Sequence, residues 1–288
     1  MNMHKKLGII LTAGLSLLLT GCSKVSLSTT AKTYSPDEMV AVVKGHTANQ
    51  NTVTYQIDNG TKHSVKVHDK TFVIQVPASD QQQKVKITAA HGGQQQQQTV
   101  MVNAAKKLGN YQQIVQKYNQ MVVMSKLSPQ EVQTLKTASA LKKASSSPNL
   151  QLMQQMGQVQ QVEQKVQQLQ STTKSEQLPA QLSGIHNVVD NSAYTLRLNV
   201  QNGNLMGATM MIPVKSFKDK AQAQQFGTAF ALFSQALGAN GKQLMHEFES
   251  KTKNQDKTQT TSKTIINHRI KYSIGFSTTE LYVYITKA

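Results

Sequence analysis

The sequence contains the stretch Tyr194-Thr195-Leu196-Arg197-Leu198-Asn199-Val200-Gln201-Asn202-Gly203, in which apolar and polar residues alternate up to a turn dipeptide. A period of two places the apolar side chains of such a stretch on one face of a β-strand. Asn-Gly favours a tight hairpin turn, because both of its residues tolerate positive φ. Residues 205–214 supply the returning strand. The stretch therefore predicts an antiparallel hairpin that is buried on one face.

A helical segment follows this hairpin. Ser216 and Asp219 have the spacing of a helix start, and Gly238 is typical of a helix end. We therefore predict a helix that ends near Leu237. Its apolar positions lie on one side: Phe226, Ala229, Phe230 and Phe233.

Alternation returns over Ile266–Phe276 and over Leu281–Ile285, with a turn at Ser277–Glu280 between the two runs. These runs predict a second hairpin. Residues 185–288 are therefore expected to form an α+β domain with the order β-hairpin, helix, β-hairpin, in which an antiparallel sheet carries helices on one face. We recognise no specific family in this part of the chain.

Three tyrosines of the second hairpin, Tyr272, Tyr282 and Tyr284, are the candidates for a binding face. Tyr282 and Tyr284 are two positions apart, so they share a face of their strand opposite Leu281, Val283 and Ile285. An exposed sheet face that bears tyrosines can bind sugars or peptides. The alternative interpretation is that these side chains pack across the strands beneath a helix.

Residues 105–171 have a helical period. The apolar residues from Leu108 to Val122 recur every three or four positions, and Ser128-Pro129-Gln130-Glu131 is a capping box that begins a second helix. A third helix follows with a stripe of methionine and valine. We expect a helical hairpin or short coiled coil, followed by a polar linker over residues 172–184. The stripe is typical of a core, although methionine also suits a peptide-binding groove.

Residues 37–103 are rich in short β-forming runs separated by turn signals such as Asn59-Gly60 and Gly92-Gly93. The segments Asp69-Lys70-Thr71-Phe72-Val73-Ile74-Gln75-Val76-Pro77 and Val85-Lys86-Ile87-Thr88-Ala89 resemble strands of bacterial immunoglobulin-like modules. The resemblance implies a small β-sandwich of the broad immunoglobulin-like class, since the segment has no cysteine pair and no tryptophan. Modules of this kind commonly act as spacers or as ligand-binding stalks.

The N-terminal segment, residues 1–21, has the organisation of a secretory signal. A basic start at Lys5 and Lys6 precedes an uncharged apolar run that ends in Leu19-Thr20-Gly21-Cys22. This tetrapeptide resembles the lipobox of bacterial lipoproteins. The resemblance implies cleavage between Gly21 and Cys22, and a diacylglycerol group on the Cys22 thiol. Alternatives are an ordinary secreted protein and a retained signal-anchor helix.

The resemblance to lipoproteins predicts a location on the extracytoplasmic face of a cell membrane, most simply at a Gram-positive surface. The partners implied are the membrane, through the lipid anchor, and either anionic envelope polymers or another envelope protein. Residues 22–36, rich in serine, threonine and lysine, are expected to be the acylated cysteine and a tether that lifts the first domain off the membrane. Cys22 is the only cysteine, so the mature chain has no internal disulfide.

The chain has 288 residues and a formal net charge of +17. A basic chain can bind nucleic acid, but the export signal argues against that partner. Because the lysines are dispersed, a solvated basic surface is the simpler interpretation. Length and pattern together predict a multidomain α+β protein, with a small immunoglobulin-like β-sandwich, a helical middle and a C-terminal antiparallel sheet.

We find no nucleophile elbow, phosphate-binding loop or metal-ligand spacing in the sequence. We therefore expect no catalytic residue, no metal and no cofactor apart from the covalent lipid. The predicted function is a non-enzymatic binding or scaffolding role at the cell envelope. The alternatives are a ligand-capturing accessory of a transporter, and a cell-wall-modifying enzyme or its inhibitor.

Overall fold

The computed structural model describes residues 25–144, 150–252 and 263–288. Within these residues the protein is a mixed α+β chain with five α-helices and three sheets, and nearly all strand pairs are antiparallel. This confirms the predicted multidomain α+β class. No helix in the described part of the chain is both long enough and apolar enough to cross a membrane. The predicted signal segment, the cleavage site at Gly21 and the lipidation site at Cys22 lie outside the described residues.

The first unit consists of two sheets that share one core. One sheet has the order β1-β3-β6, and the other has the order β2-β8-β7-β4-β5. The strands are β1 Leu27–Thr29, β2 Thr33–Tyr34, β3 Val40–Thr47, β4 Thr52–Ile57, β5 Lys62–Val65, β6 Thr71–Pro77, β7 Gln83–His91 and β8 Gln94–Val102. Alternate residues of both sheets point inward and are almost completely buried, among them Val43, Phe72, Ile74, Val85, Ile87 and Val100.

The structure differs from the sequence prediction at the start of this unit. Residues 22–36 were expected to form a tether, but Val25 and Leu27 are buried in the core of the two sheets. β1 pairs with β3, and β2 runs parallel to β8. Very short edge strands are held by backbone hydrogen bonds and one or two buried side chains, so they have no extended apolar pattern to detect. The described part of this unit is therefore packed into the core from Val25 onward.

The second unit is built on a seven-stranded sheet with the order β10-β11-β12-β15-β14-β13, in which a short β9 also pairs with β12. The strands are β9 Gly109–Asn110, β10 Gly184–Asp190, β11 Thr195–Gln201, β12 Asn204–Pro213, β13 Lys263–Asn267, β14 Ile270–Phe276 and β15 Glu280–Lys287. Three helices cover one face of this sheet: α1 Tyr111–Met124, α4 Lys220–Ala236 and α5 Gly241–Thr252. The hairpin of β11 and β12 is the one predicted from the alternation and the Asn202-Gly203 turn.

The run Ile266–Phe276 was predicted as one strand, and the structure divides it. His268 and Arg269 both have positive φ, at 50° and 63°, and form the turn between β13 and β14. The alternation of apolar residues continues through this turn in the sequence, which hides the break. As a consequence Ile266 is 63% exposed, on the face of the sheet that the helices do not cover.

Helix α1 has the predicted apolar stripe, but it packs into the second unit. Tyr111, Val115, Tyr118 and Val122 belong to the same core as the seven-stranded sheet, and the Tyr118 ring meets the Phe233 ring of α4 edge-on at 5.9 Å. An amphipathic stripe shows that one side of a helix is buried, and does not show what covers it.

The remaining helices, α2 Pro129–Ala144 and α3 Leu150–Thr172, form an antiparallel pair. The predicted capping box is present, because the Glu131 N–H donates to Ser128 Oγ and the Ser128 N–H donates to Glu131 Oε2. Lys165 of α3 forms an ion pair with Glu131 at 2.7 Å. Among the residues of α2 and α3 whose burial is described, the buried ones, Ala138, Leu152, Val159 and Val162, belong to neither large core. We call this pair the helical arm.

The predicted linker, residues 172–184, is fixed to the second unit. Leu178 is buried, and Asn119 of α1 forms hydrogen bonds with both its N–H and its carbonyl, at 2.8 and 2.9 Å. The chain then enters β10 at Gly184.

Candidate functional site: a tyrosine-bearing sheet face

The seven-stranded sheet has one face covered by helices and one face without them. The strand register places Arg197, Thr209, Tyr284 and Ser273 in one row across β11, β12, β15 and β14. Met211, Tyr282 and Gly275 form the adjacent row. We call these two rows, together with the side chains that reach them from the first unit, the tyrosine face.

Tyr282 and Tyr284 lie on this face because they are two positions apart on β15, as their spacing predicts. Their rings are nearly parallel, with centroids 6.1 Å apart and an angle of 10° between the planes. Small residues flank them on β14, namely Ser273 and Gly275. Both tyrosines are half-buried, so part of each ring remains accessible.

Tyr272 does not join the other two tyrosines. It lies on the opposite face of the sheet, fully buried beneath α4, with its ring 5.7 Å from the ring of Phe230 in an edge-on contact. For Tyr272 the structure contradicts the candidate binding role and agrees with the alternative of packing under a helix. The strand register explains the difference: residues directly opposite each other share a face, and Tyr272 is opposite the buried Ile285, whereas Tyr284 is opposite Ser273.

A carboxylate from the first unit reaches the edge of the tyrosine face. Glu38 Oε1 lies 3.5 Å from Lys271 Nζ. Glu38 Oε2 is buried and finds no hydrogen-bond partner within the described residues. Glu38 itself has a φ of 56°, so the loop before β3 adopts a left-handed conformation at this contact. The carboxylate therefore retains a free acceptor oxygen at the junction of the two units.

The electrostatics of the face keep its tyrosines protonated. Burial raises the pKa of Tyr284, the Glu38 carboxylate raises it further, and the Arg197 guanidinium opposes part of that rise. A hydrogen bond to Glu280 is the main cause that raises the pKa of Tyr282. At neutral pH both hydroxyls are neutral and serve as hydrogen-bond donors and acceptors. The arrangement suits ligand binding through stacking and hydrogen bonds.

A separate cleft of about 900 Å³ lies between α1 and α3. Its walls carry mainly glutamine and valine, for example Gln116 and Val115 of α1 and Gln167 and Val166 of α3. A second cleft of about 530 Å³ is lined by Leu141, Met153 and Met156 of the helical arm. Met156 was expected to face inward with the rest of the stripe, but it is 37% exposed, and Met153 is 62% exposed.

In the described part of the chain, no three His, Cys, Asp or Glu side chains converge on a position that could hold a metal ion. A scan of protein-family models finds no match to the chain, and a search of curated proteins finds none either.

The sequence interpretation identified two of the residues on the tyrosine face and missed the charged ones. In the sequence Arg197 is only a polar position in an alternating strand, and Glu38 belongs to no motif. Glu38 and Lys271 are 233 positions apart in the sequence, and only the packing of the two units brings them together. No local signal in the sequence marks such a pair.

Proposed function

We propose that the protein is a lipoprotein, cleaved before Cys22, acylated on its thiol and held on the extracytoplasmic face of the cell membrane. The support for this proposal is the sequence: an uncharged apolar run that ends in Leu19-Thr20-Gly21-Cys22. Two acyl chains stably anchor a protein that one chain would hold only reversibly.

We infer that the first unit is an immunoglobulin-like spacer. The support is its strand arrangement, with β1, β3 and β6 in one sheet and β4, β5, β7 and β8 in the other. β1, β3 and β6 correspond to strands A, B and E of that class, while β4, β7 and β8 correspond to C, F and G. The helical arm has the length and antiparallel pairing of a short coiled coil.

The function that the geometry supports best is non-enzymatic binding of an anionic envelope polymer at the tyrosine face. The observation that carries this proposal is the pair of protonated, half-exposed tyrosines on the sheet face without helices, beside the part of that face that the first unit covers, and bordered by Arg197 and by the Glu38–Lys271 pair. Tyrosine rings stack on the apolar faces of sugar rings, and their hydroxyls bond to sugar hydroxyls. Arg197 and Lys271 supply charge for phosphate or carboxylate groups.

A binding role fits the titratable groups of the face better than a reaction does. General acid–base catalysis favours groups whose pKa is near the working pH. The environment of Tyr282 and Tyr284 moves the pKa of both hydroxyls upward, away from neutrality. These side chains are suited to hold a ligand by hydrogen bonds, and a scaffold role would use the same surface.

A direct experiment measures binding of the purified protein to anionic wall polymer isolated from Gram-positive cells. The double variant Tyr282→Ala/Tyr284→Ala should weaken binding by roughly tenfold or more, since aromatic anchors dominate such contacts. The control is Tyr55→Ala, which removes a half-buried tyrosine from the first unit. Equal binding by all three proteins would refute the tyrosine face as the site.

Anchoring is tested separately by incorporation of radiolabelled fatty acid. The wild-type chain should be labelled in cells and the Cys22→Ala variant should not. If both chains carry the same label, the protein is not a lipoprotein of this type.

Ligand capture in the cleft between α1 and α3 is a second candidate function. Its volume of about 900 Å³ lies within the range of small-molecule sites, and its glutamine amides offer both donors and acceptors. Mass spectrometry of ligands that co-purify with wild type, compared with a Gln116→Ala/Gln167→Ala variant, tests it. A ligand retained equally by both proteins would exclude the cleft.

A further inference from the structure

One end of the first unit is formed by three connections, residues 48–51, 66–70 and 91–93. The register shows that they meet: Leu27 of β1 is opposite Thr47 at the end of β3, and Thr52 at the start of β4 is opposite Ala90 near the end of β7. Thr71 at the start of β6 is opposite His46. Because the chain enters the unit here at Val25, we call this end the Val25 pole.

The entry of the chain is fixed at this pole. Val25 is 5% exposed, so its side chain is part of the core. The Thr47 hydroxyl donates a hydrogen bond to the Ser26 carbonyl, and the Asn51 side-chain amide donates to the Thr47 hydroxyl at 2.7 Å. The chain is therefore held against the first unit from Val25 onward.

Only Ser23 and Lys24 separate Val25 from Cys22 in the sequence. Consecutive Cα atoms are ~3.8 Å apart, so three peptide units reach at most about 11 Å. A diacylglycerol on Cys22 places that residue at the headgroup level of the bilayer. Residues from Val25 onward, which the sequence assigned to a tether over residues 22–36, are therefore part of the folded unit.

We propose that the Val25 pole lies directly against the phospholipid headgroups of the leaflet that holds Cys22. This inference rests on the proposed lipid anchor and adds an orientation to it. The partner is the polar surface of the membrane itself, because the short connection keeps this end of the described structure within about 11 Å of the anchor.

The side chains of the pole match headgroup chemistry. Exposed residues at this end are mostly hydrogen-bonding or basic: Asn49, Gln50, Lys66, His68, Lys70 and His91. Asp69 is an acid at this end, and its carboxylate lies 2.9 Å from His68 Nδ1. Lysine and amide N–H groups donate to lipid phosphates, and basic residues near an anionic leaflet are attracted to it. The pole therefore rests on the headgroups without inserting between acyl chains.

This orientation sends the second unit away from the membrane. The contacts between the two units use the opposite end of the sandwich, where Glu38, Met39, Ala78 and Asp80 lie. The eight residues of β3 run from that end to the Val25 pole and span ~26 Å. The tyrosine face is thereby held about one sandwich length out from the bilayer, within the envelope polymer layer.

The test uses thiol labels on the lipidated full chain. Acylation consumes the thiol of Cys22, so an introduced cysteine is the only free one in the protein. Gln50→Cys places a fluorophore at the Val25 pole, and Gln81→Cys places the same fluorophore at the opposite end; both glutamines are exposed. His68→Cys is a second pole position, since the His68 side chain is 88% exposed.

The labelled proteins are reconstituted into vesicles of phosphatidylglycerol and phosphatidylcholine that contain headgroup spin-labelled lipid. We expect quenching of the labels at residues 50 and 68, and emission at residue 81 that differs little from emission in unlabelled vesicles. Equal quenching at residues 50 and 81, or stronger quenching at residue 81, would overturn the orientation.

Flotation with the vesicles separates the two proposals. A chain that floats but gives equal quenching retains the anchor and refutes the contact of the pole. A chain that fails to float and carries no lipid by mass spectrometry refutes the anchor, and the orientation falls with it. Quenching confined to the pole positions of a floating, lipidated chain supports both.

Discussion

Gly45 is the residue at which the first unit tolerates no side chain. A Cβ atom at this position would lie 2.2 Å from Cζ of Phe72 and 2.5 Å from the carbonyl oxygen of Ser28. Gly45→Ala must therefore displace a buried ring and the backbone of β1, and we expect a loss of about 1–3 kcal/mol in the free energy of unfolding. Urea denaturation followed by far-ultraviolet circular dichroism measures this loss.

A matched control for this substitution is Gly157→Ala in α3. A Cβ atom there has nothing within 4 Å, and alanine is favoured over glycine inside a helix by about 0.5–1 kcal/mol. The two glycine-to-alanine changes should thus have opposite signs. A stabilising effect at Gly45 would show that β1 is not held against β3 as described.

Tyr272 makes the stability of the second unit sensitive to alkaline pH. Burial raises its pKa to about 12, and the nearby Ser234 hydroxyl opposes part of this rise. Burial also raises the pKa of Tyr194 to about 12. An unfolded tyrosine has a pKa near 10, so the folded state holds these protons more tightly. The stabilisation is complete below pH ~10 and is lost as pH rises from about 10 to 12.

The variant Tyr272→Phe should flatten this alkaline decline and leave stability at pH 7 unchanged or slightly higher. Its hydroxyl is buried, and within the described residues neither it nor Ser234 Oγ makes a hydrogen bond of normal geometry. Removing an unpaired buried hydroxyl costs little. Thermal midpoints measured between pH 7 and pH 11 for both proteins give the result. An identical alkaline slope in the variant would contradict the assignment of this proton to Tyr272.

At the scale of elements, the helical arm depends on its capping box. Ser128 and Glu131 satisfy each other's backbone N–H groups, and Glu131 also pairs with Lys165. Ser128→Ala should destabilise α2 by ~1 kcal/mol. The readout is amide hydrogen exchange, which should accelerate in α2 and α3 and remain unchanged in the seven-stranded sheet, because the arm belongs to neither large core.

The conservative change Glu131→Gln gives the control for this prediction. Glutamine preserves the capping box and loses the ion pair, and an exposed ion pair contributes little. Exchange in α2 should then stay close to wild type. Faster exchange throughout the second unit after Ser128→Ala would contradict the independence of the arm.

Periodicity in the sequence predicted elements well and their partners poorly. The apolar stripe from Leu108 to Val122 correctly predicted α1, and the alternation over Tyr194–Val200 correctly predicted β11. The same signals could not show that α1 covers the seven-stranded sheet, because an amphipathic face carries no record of its partner. β1 escaped prediction because three residues with one buried side chain form no detectable pattern.

The tyrosine face shows the same limit at the scale of the site. The spacing of Tyr282 and Tyr284 was sufficient to place them together, since strand parity is a local property. Tyr272 was grouped with them because the sequence shows which residues share a face only within one strand. The register between β14 and β15 pairs Tyr272 with Ile285, which places it on the opposite face from Tyr284. Glu38 reaches the site only through the packing of the two units, which no local pattern encodes.

At the scale of the whole molecule, the side chain of Asn199 makes a buried joint between the two units, beside the Glu38–Lys271 pair and the hydrogen bonds from Asn202 and Asn204 to Asp80. Asn199 of β11 is fully buried, and its Nδ2 group donates to the carbonyl oxygens of Met39 and Ala78, at 3.1 and 2.9 Å. Met39 directly follows Glu38, and Ala78 directly follows the last residue of β6. The Asn199 amide therefore bonds to both segments of the first unit that contact the sheet, next to the Glu38–Lys271 pair.

Asn199→Leu removes both hydrogen bonds; the Ala78 carbonyl loses this donor, whereas the Met39 carbonyl keeps its hydrogen bond from the Ala78 N–H at 2.9 Å. An orphaned buried group costs roughly 1–3 kcal/mol, and interfaces between domains of one chain are small and polar, so a loss of this size weakens the joint. We expect urea unfolding to separate into two transitions, and the small-angle scattering envelope to broaden. Asn187→Leu is the control, because Asn187 lies on the edge strand β10 and bonds only to the exposed Arg197.

This joint fixes the orientation of the tyrosine face relative to the first unit. With the Val25 pole held at the membrane, the direction of the tyrosine face depends on the buried contacts of this junction, in which Asn199 Nδ2 donates to the Met39 and Ala78 carbonyls and the Thr209 hydroxyl donates to Met39 Sδ at 2.8 Å. Asn199→Leu should thus reduce binding of wall polymer by membrane-bound protein more than binding by the same protein in solution. If polymer binding falls equally for the membrane-bound and the dissolved protein, the junction affects the binding site itself, through Glu38, and not the orientation of the site relative to the membrane.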